Sequence, residues 1–539
     1  MKLFLIGVGG TGMRCMEAFT HLCAIGMLDT KEVNILSLDT DTNNGNKSQS
    51  ETLVDTYINI KKDASGKQAL LKDSFFSAAL YLYRFSPEYS GANKNFSLVS
   101  KIGQSGDRNI NRQNEDLTSL FFNKEVQEFD LAHGYRGQTH IGSYLMYHAI
   151  LDEVRAVKNG EKPEKSNDLS AFIKKLTDAS QSGQPVKIFI FGSIFGGTGA
   201  SSIPIIPRAL QDAMRLRDAS VNSAENLQFG STLLSNYFTF NKANNTQVAT
   251  ERVIADADKF SLNSQAALMF YEADPTIKQL YQKMYHIGWS GTVNYDEGRI
   301  GEKVLTGGQE QRNKAHIVEL FSACAAYDFF MDKNIDKNSH KIVYKSVKIE
   351  NQKYDFSFSD FLGQDEQYRL MNKLSAFYAL CFLLQNSQDG NIKILANRLA
   401  DKDNIPDYKA LSEEDSRYIN YYLKTFGFGY DNNTIINGWL RQIQATCTDE
   451  TFLFSLGSFQ QDTKQLQKFN WGQLLPAKEH QFEKDGNFFS SANPFDTFMK
   501  KFVKDAINLK PDADFESSKV GERLLNHIYK TFKVLHKIM

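Results

Sequence analysis

Two glycine-rich turns, each set between an apolar run and a helical one, constrain this chain more than any other feature. The first, Gly7-Val8-Gly9-Gly10-Thr11-Gly12, follows the apolar Leu3-Phe4-Leu5-Ile6 and precedes a helical stretch from Met13 to Met27. The second, Gly196-Gly197-Thr198-Gly199-Ala200, follows the apolar run from Val186 to Phe191 and precedes a helix through Ala209 to Arg217. Glycine lets a backbone approach a phosphate, and a helix start offers unpaired N–H groups and the positive end of a dipole. Another apolar run, Val33 to Leu38, ends in Asp39-Thr40-Asp41. Strand, glycine turn, helix and strand in succession open an α/β fold with a parallel sheet.

The first turn fits GxGxxG, and Asp39 stands where the ribose-binding acid of a dinucleotide enzyme would. A dinucleotide site needs only one such turn. Two on one sheet, with Gly137-Gln138-Thr139 ahead of a further helix running to Val157, point to several helix starts converging on one polyphosphate. The plainer alternative is that the second is a packed turn. The pattern GxxxxGK[ST] is absent, which argues against a P-loop NTPase.

Composition narrows the function classes. The chain has 539 residues, enough for about three domain-sized units, and Lys+Arg 62 against Asp+Glu 63 leaves a net charge of -1. That balance argues against a protein built to grip nucleic acid, which needs a basic excess. No apolar run nears the roughly 18 residues of a membrane span. The five cysteines (Cys15, Cys23, Cys324, Cys381, Cys447) lack CxxC spacing, so neither a disulfide scaffold nor a cysteine zinc site is expected. The opening Met1-Lys2-Leu3-Phe4-Leu5-Ile6 is too short for a signal peptide and reads as a first strand, so a cytoplasmic protein is expected. The ten histidines are scattered without HExxH spacing, and no protein-ligated metal is expected.

Along the rest of the chain, 42–66 reads as polar loop, 67–85 as an amphipathic helix and 86–115 as loop. A short helix is expected near Leu169 to Leu176, and strands over Leu227 to Leu234 and Ala266 to Tyr271. Residues 309–331 read as one long helix, apolar nearly all round in its second half and hence buried. Lys341 to Phe358 alternates like a hairpin turning near Asn351. From Gln364 the chain is largely helical. An aromatic cluster (Phe488, Phe489, Phe495, Phe498, Phe502) reads as core, and the last helix is expected over Gly521 to Met539.

These turns resemble those of the tubulin/FtsZ superfamily of GTP-binding filament proteins. Its signature, GGGTG followed by Ser, Ala or Thr, corresponds to Phe195-Gly196-Gly197-Thr198-Gly199-Ala200, one glycine short. The FtsZ first loop, GVGGGGxNA, corresponds to Gly7 through Cys15, with Arg14 in place of Asn. The strand end NTDAQ corresponds to Asp39-Thr40-Asp41-Thr42-Asn43, and the loop GAGGNPEVG to Gly134 through Gly142. The likeness covers roughly 1–240. It implies a tubulin/FtsZ-like nucleotide-binding domain over 1–308 with an insertion near 45–125, a central helix at 309–331, and a largely helical α+β domain over 332–539. The boundary falls near 332 instead if the central helix is assigned to the first domain.

The resemblance further implies GTP or GDP as ligand, held by Gly9, Gly10, Thr11, Gly12, Arg14, Asp39, Asp41, Gly137, Gln138, Thr139, Gly196, Gly197, Thr198, Gly199 and Ala200. A Mg²⁺ held mainly by phosphates and water accompanies it. It implies self-association through the nucleotide face, with no nucleic-acid partner. In the family, the next subunit supplies an acidic residue that polarises the attacking water. Asn334-Ile335-Asp336 stands where FtsZ carries NxD, making Asp336 the candidate, with Asp332 the second. No acid stands in Ser235 to Phe240, where the family holds the ribose. Arg312 or Asn313 lies where the family's central helix faces the base, although Arg312, Asn313, His316 and Glu319 read chiefly as polar groups of a domain interface. The second class of function is a non-polymerising regulatory or assembly component whose C-terminal domain contacts another protein. The third is a dinucleotide oxidoreductase.

Overall fold

The computed structural model describes residues 2–41, 44–87, 116, 120, 135, 137, 139–219, 226–239, 257–289, 293–294, 313–336, 338–346, 349–350, 353–354, 359–386, 391–400, 408–431, 434–446 and 519–536. The strands are β1 (Lys2–Val8), β2 (Glu32–Leu38), β3 (Ala79–Phe85), β4 (Val186–Phe191), β5 (Leu227–Leu234), β6 (Tyr281–Gly288) and β7 (Lys341–Ser346). They form one sheet in the order β3-β2-β1-β4-β5-β6-β7. Every neighbouring pair is parallel. The helices that bear on the site and its support are α1 (Gly9–Ala24), α2 (Gly45–Lys61), α3 (Thr139–Lys158), α4 (Asp168–Ser180), α5 (Gly197–Ser202), α6 (Ile206–Arg217), α7 (Phe260–Ala273), α8 (Ile317–Met331), α9 (Ser359–Asn386), α10 (Glu413–Phe426) and α11 (Val520–His536).

Alternation along β1 feeds two cores. Leu3 and Leu5 join α1, α2 and α8 on one face. Phe4, Ile6 and Val8 join α3, α4 and α6 on the other. Strands covered on both faces read as largely apolar runs, as β1 and β4 do apart from Lys2 and Lys187. Helix α8 lies against β4, β5 and β6, with only Asp328 and Met331 not fully buried. Helices α9, α10 and α11 pack on this same face and share its core. A buried ion pair, Lys61 Nζ to Glu522 at 2.7 Å, ties α2 to α11.

Several expectations need correction. Residues 45–61 form a helix, not a loop: Leu53, Val54, Tyr57 and Ile60 recur at helical spacing and are buried. Residues 79–85 form the edge strand β3 rather than the end of a helix, paired with β2 from Glu32↔Ala79 to Leu38↔Phe85. Within the expected insertion, the described residues therefore supply α2 and the edge strand β3. Residues 266–271 lie inside α7, not in a strand. Helix α8 begins at Ile317, with 313–316 outside it; His316 is the N-cap, and its backbone N–H donates to Glu319 while its side chain accepts from Val318. The hairpin near Asn351 exists as Ile349–Glu350 paired with Lys353–Tyr354, but Lys341–Ser346 belongs to the main sheet. The aromatic cluster at 488–502 and Cys447 lie outside the described residues. The other four cysteines are buried and unpaired with one another. Among the described residues no helix is long and apolar enough to cross a membrane, and no group of three or more His, Cys, Asp or Glu is placed to hold a metal ion.

One close approach fixes how α8 lies on the sheet. An ideal Cβ at Gly230, in β5, would fall 2.7 Å from the Phe189 ring and 2.8 Å from that of Phe329. Gly230→Ala is expected to lower stability by about 1–3 kcal/mol through overpacking, read by urea denaturation. An unchanged midpoint would show that the two rings can move apart at no cost.

Candidate functional site

In a parallel sheet all the strand ends of one sense share an edge, and the glycine turns lie at the C-terminal edge. β1 is central, flanked by β2 and β4, so the turns leaving these three strands are neighbours. β1 passes into α1 without a linker because Gly9 takes φ +66°, a conformation that suits glycine. A Cβ on Gly9 would lie 3.2 Å from the Cβ of Thr198. The Thr198 hydroxyl in turn lies 3.4 Å from that of Thr40, at the end of β2. The first and second glycine turns are thus in direct contact, with the Asp39–Asp41 segment against them.

The third turn joins them through its helix. Gly137 has φ +83°, and its carbonyl accepts from Thr139 N–H at 3.0 Å. In α3, Ser143 Oγ donates to the Ser201 carbonyl of α5 at 2.6 Å. Gly142 is packed so close that a Cβ would meet Ser201 Oγ at 2.5 Å. Gln138 lies outside the described residues.

The helix starts at this edge are open to an anion. The N-cap residues of α1 and α5, Val8 and Gly196, supply no side-chain cap, and neither helix has an acid in its first turn. By contrast, Asn44 caps α2 and Asn167 caps α4. Gly10, Thr11, Gly196, Gly197 and Thr198 are half-buried, whereas Gly12, Gly199 and Ala200 are buried. Gly12 and Gly199 serve packing: a Cβ on either would fall on a backbone oxygen, that of Phe191 at 2.6 Å or that of Ser193 at 2.5 Å. Phe195, in the place of a signature glycine, is a plug in the wall, its ring against Tyr237, Phe238 and Phe260.

Asp39 and Asp41 are buried at the end of β2. Burial, and then the charge of Asp41, push the Asp39 carboxyl up to about 7. Its Oδ1 accepts from the Asp41 N–H at 3.3 Å. Arg14 is turned away into the core. Its guanidinium pairs with Glu17 and lies 3.5 Å from Glu319 of α8. Glu319 also accepts from Tyr237 Oη at 3.0 Å and from His316 N–H at 3.1 Å, and burial pushes it up to about 7. Arg14 therefore joins α1 to α8. Ahead of α8, the Asn313 N–H donates to Asn46 Oδ1 at 2.8 Å, so α2 is tied to the same junction.

Asp332 and Asp336 lie at the other edge of the sheet, where the strands begin. Lys187, near the start of β4, donates to the carbonyls of Phe329 and Phe330 at 3.0 Å each, and to that of Asp332, capping the C-terminal end of α8. Burial lowers this lysine to about 8. Asp332 Oδ2 pairs with Lys283 at 2.6 Å. Asp336 is exposed, its Oδ1 accepting from the Asn338 N–H at 3.0 Å.

Neither a family model nor a curated protein sequence matches the chain. Among solved structures it matches CetZ2 from Haloferax volcanii, in a GTPγS-bound protofilament, at 13% identity with a TM-score of 0.22. The match covers 60% of this chain and 59% of that one.

The junction residues Thr40, Asn44, Asn46 and Glu17 went unrecognised in sequence. Asn44 and Asn46 sit in a polar run that reads as loop; the buried apolar spacing from Leu53 to Ile60 was the signal that a capped helix begins there.

Proposed function

We propose that the chain is a tubulin/FtsZ-like protein that binds a guanine nucleotide, GTP or GDP, at the edge where α1, α5 and the end of β2 meet. The observation that carries this reading is the contact of Gly9 with Thr198. The strand order of the first six strands is shared with dinucleotide-binding folds, so order alone favours neither. A dinucleotide fold has no need of a second glycine turn packed against the first. Two uncapped helix starts facing one place supply what a polyphosphate needs: converging N–H groups and two positive dipole ends. The motifs quoted above favour guanine.

The residues present fit such a ligand. Gly10, Thr11, Gly197 and Thr198 would hold phosphate oxygens through backbone N–H groups, with the Thr198 hydroxyl beside them. The accompanying Mg²⁺ keeps its waters and binds chiefly to phosphate, so it needs no cluster of protein ligands. The nucleotide, when bound, would supply a terminal phosphate open to hydrolysis. Asp336, exposed at the opposite edge, would meet that phosphate only from a neighbouring copy, in keeping with head-to-tail self-association.

Titration calorimetry with GTP and with NADH tests the reading. GTP binding without NADH binding is the expected result, and the reverse would overturn it in favour of the dinucleotide class. Gly9→Val is expected to weaken GTP binding by about 1–3 kcal/mol, since valine must leave the positive φ and would meet Thr198. Wild-type affinity in a folded Gly9→Val protein would take the first turn out of the site. Light scattering with and without GTP separates the filament reading from a non-polymerising one.

A further inference from the structure

The segment that leaves β2 holds two buried polar atoms without a hydrogen-bond partner. One is Asp39 Oδ2, on a residue 2% exposed; the other is Asn46 Nδ2, on a residue 1% exposed. Buried donors left in this state are rare in native proteins and call for an explanation. Asn46 is the second residue of α2. Its Oδ1 is engaged by the Asn313 N–H, which fixes which end of the amide is oxygen and which nitrogen. The NH₂ end is directed at the first glycine turn: it lies 3.4 Å from where a Cβ on Gly10 would be. Gly10 lies in the first turn of α1, whose N-cap residue, Val8, supplies no side-chain cap.

We propose that Asn46 is a ligand-binding residue, its Nδ2 donating to a phosphate oxygen of the polyphosphate held at the start of α1. The proposal rests on the nucleotide reading and adds to it a contact from α2 that none of the glycine motifs includes. An uncapped helix start selects an anion, and an anionic oxygen beside Gly10 would satisfy the orphaned donor. Because Oδ1 of the same side chain holds the Asn313 N–H, Asn46 joins the anion to the segment that enters α8.

Asn46→Asp is the test, since it keeps the shape and the acceptor for Asn313 while replacing the donor by a carboxylate oxygen. Calorimetry would compare GTP, guanosine and inorganic tripolyphosphate on wild type and variant. The expected result is a loss of roughly tenfold or more for GTP and for tripolyphosphate, with guanosine within about twofold. Equal losses for GTP and guanosine would show a merely structural role, and wild-type GTP affinity would remove Asn46 from the site; either overturns the proposal. A wild-type protein that takes tripolyphosphate but not GTP would sink the guanine reading and leave Asn46 to be judged on tripolyphosphate. Uptake of neither would sink both. If the Asp variant fails to fold, Asn46→Ser removes the donor without adding charge, and the same phosphate-selective loss is expected.

Discussion

Arg14→Met is expected to lower the unfolding free energy by about 3–5 kcal/mol, the usual cost of stripping one partner from a buried ion pair. Arg14 is 1% exposed, and it is the guanidinium between two buried carboxylates, Glu17 on its own helix and Glu319 on α8. Methionine fills comparable space but supplies no charge. Glu319 would keep the Tyr237 hydroxyl and the His316 N–H, and Glu17 would keep Gln49 at 3.3 Å, yet neither would have its cation. The pH dependence follows from sign. Burial has already raised Glu319 from 4.5 to about 7, with Arg14 opposing that rise. An acid whose folded value is raised contributes stability that is fully present below its unfolded value and is lost as pH climbs through the folded one. Removing Arg14 raises the folded value further, so the variant goes on losing stability above pH 7. Urea denaturation should show a larger deficit at pH 8 than at pH 6, and Glu319→Gln in the same chain should recover part of it. A deficit below about 1 kcal/mol, or one flat with pH, would mean that the two carboxylates are stabilised without the arginine.

The same residue shows where sequence reasoning reached and where it stopped. Position 14 follows the first glycine turn by two residues, and by motif it is a nucleotide contact; the structure engages its charge on carboxylates instead. The partner that decides this, Glu319, comes from a helix some three hundred positions away, and no local pattern announces such a meeting. The glycine turns themselves were legible because Gly9 takes a positive φ and the backbone approach at Gly12 and Gly199 leaves no room for a side chain. The central strands were legible because both faces are covered and their residues are largely apolar. Helix α2 was not. It buries Asn46, Lys47 and Lys61 with polar partners, and so reads as solvated. Helix α7 misleads in the opposite sense: the apolar run Ala266 to Tyr271 reads as a strand, yet it lies in a helix with Met269 and Phe270 exposed. The start of α8 was missed because histidine is an uncommon N-cap, although Glu319 three residues on completes a capping box.

Asp336→Ala is expected to cut GTP turnover by about 10²–10⁴-fold, the range for loss of a group that orients and deprotonates water, while leaving GTP affinity within about twofold. The glycine turns lie where the strands end, and Asp336 where they begin, beyond the lysine-capped end of α8. In one copy the carboxylate therefore stands about a strand length from the proposed phosphate site. Only a second copy stacked head to tail would bring them together, so specific activity should rise with protein concentration. Asp332 is the weaker candidate on its contacts. Its carboxylate is paired with Lys283 and accepts from the Asn334 N–H at 2.8 Å, contacts that outweigh burial and hold it below the usual carboxylate range. Asp332→Ala should mainly unsettle Lys283 and the end of α8, costing stability rather than turnover. Asp336 is exposed and, among the described residues, its carboxylate holds a turn N–H of its own loop, so it can reorient toward water at little cost. Single-turnover and steady-state assays over a range of protein concentrations would decide. If specific activity is flat with concentration, or both variants hydrolyse GTP like wild type, no site is completed between copies. The bound nucleotide would then act as a structural or regulatory ligand, and the non-polymerising reading would take first place.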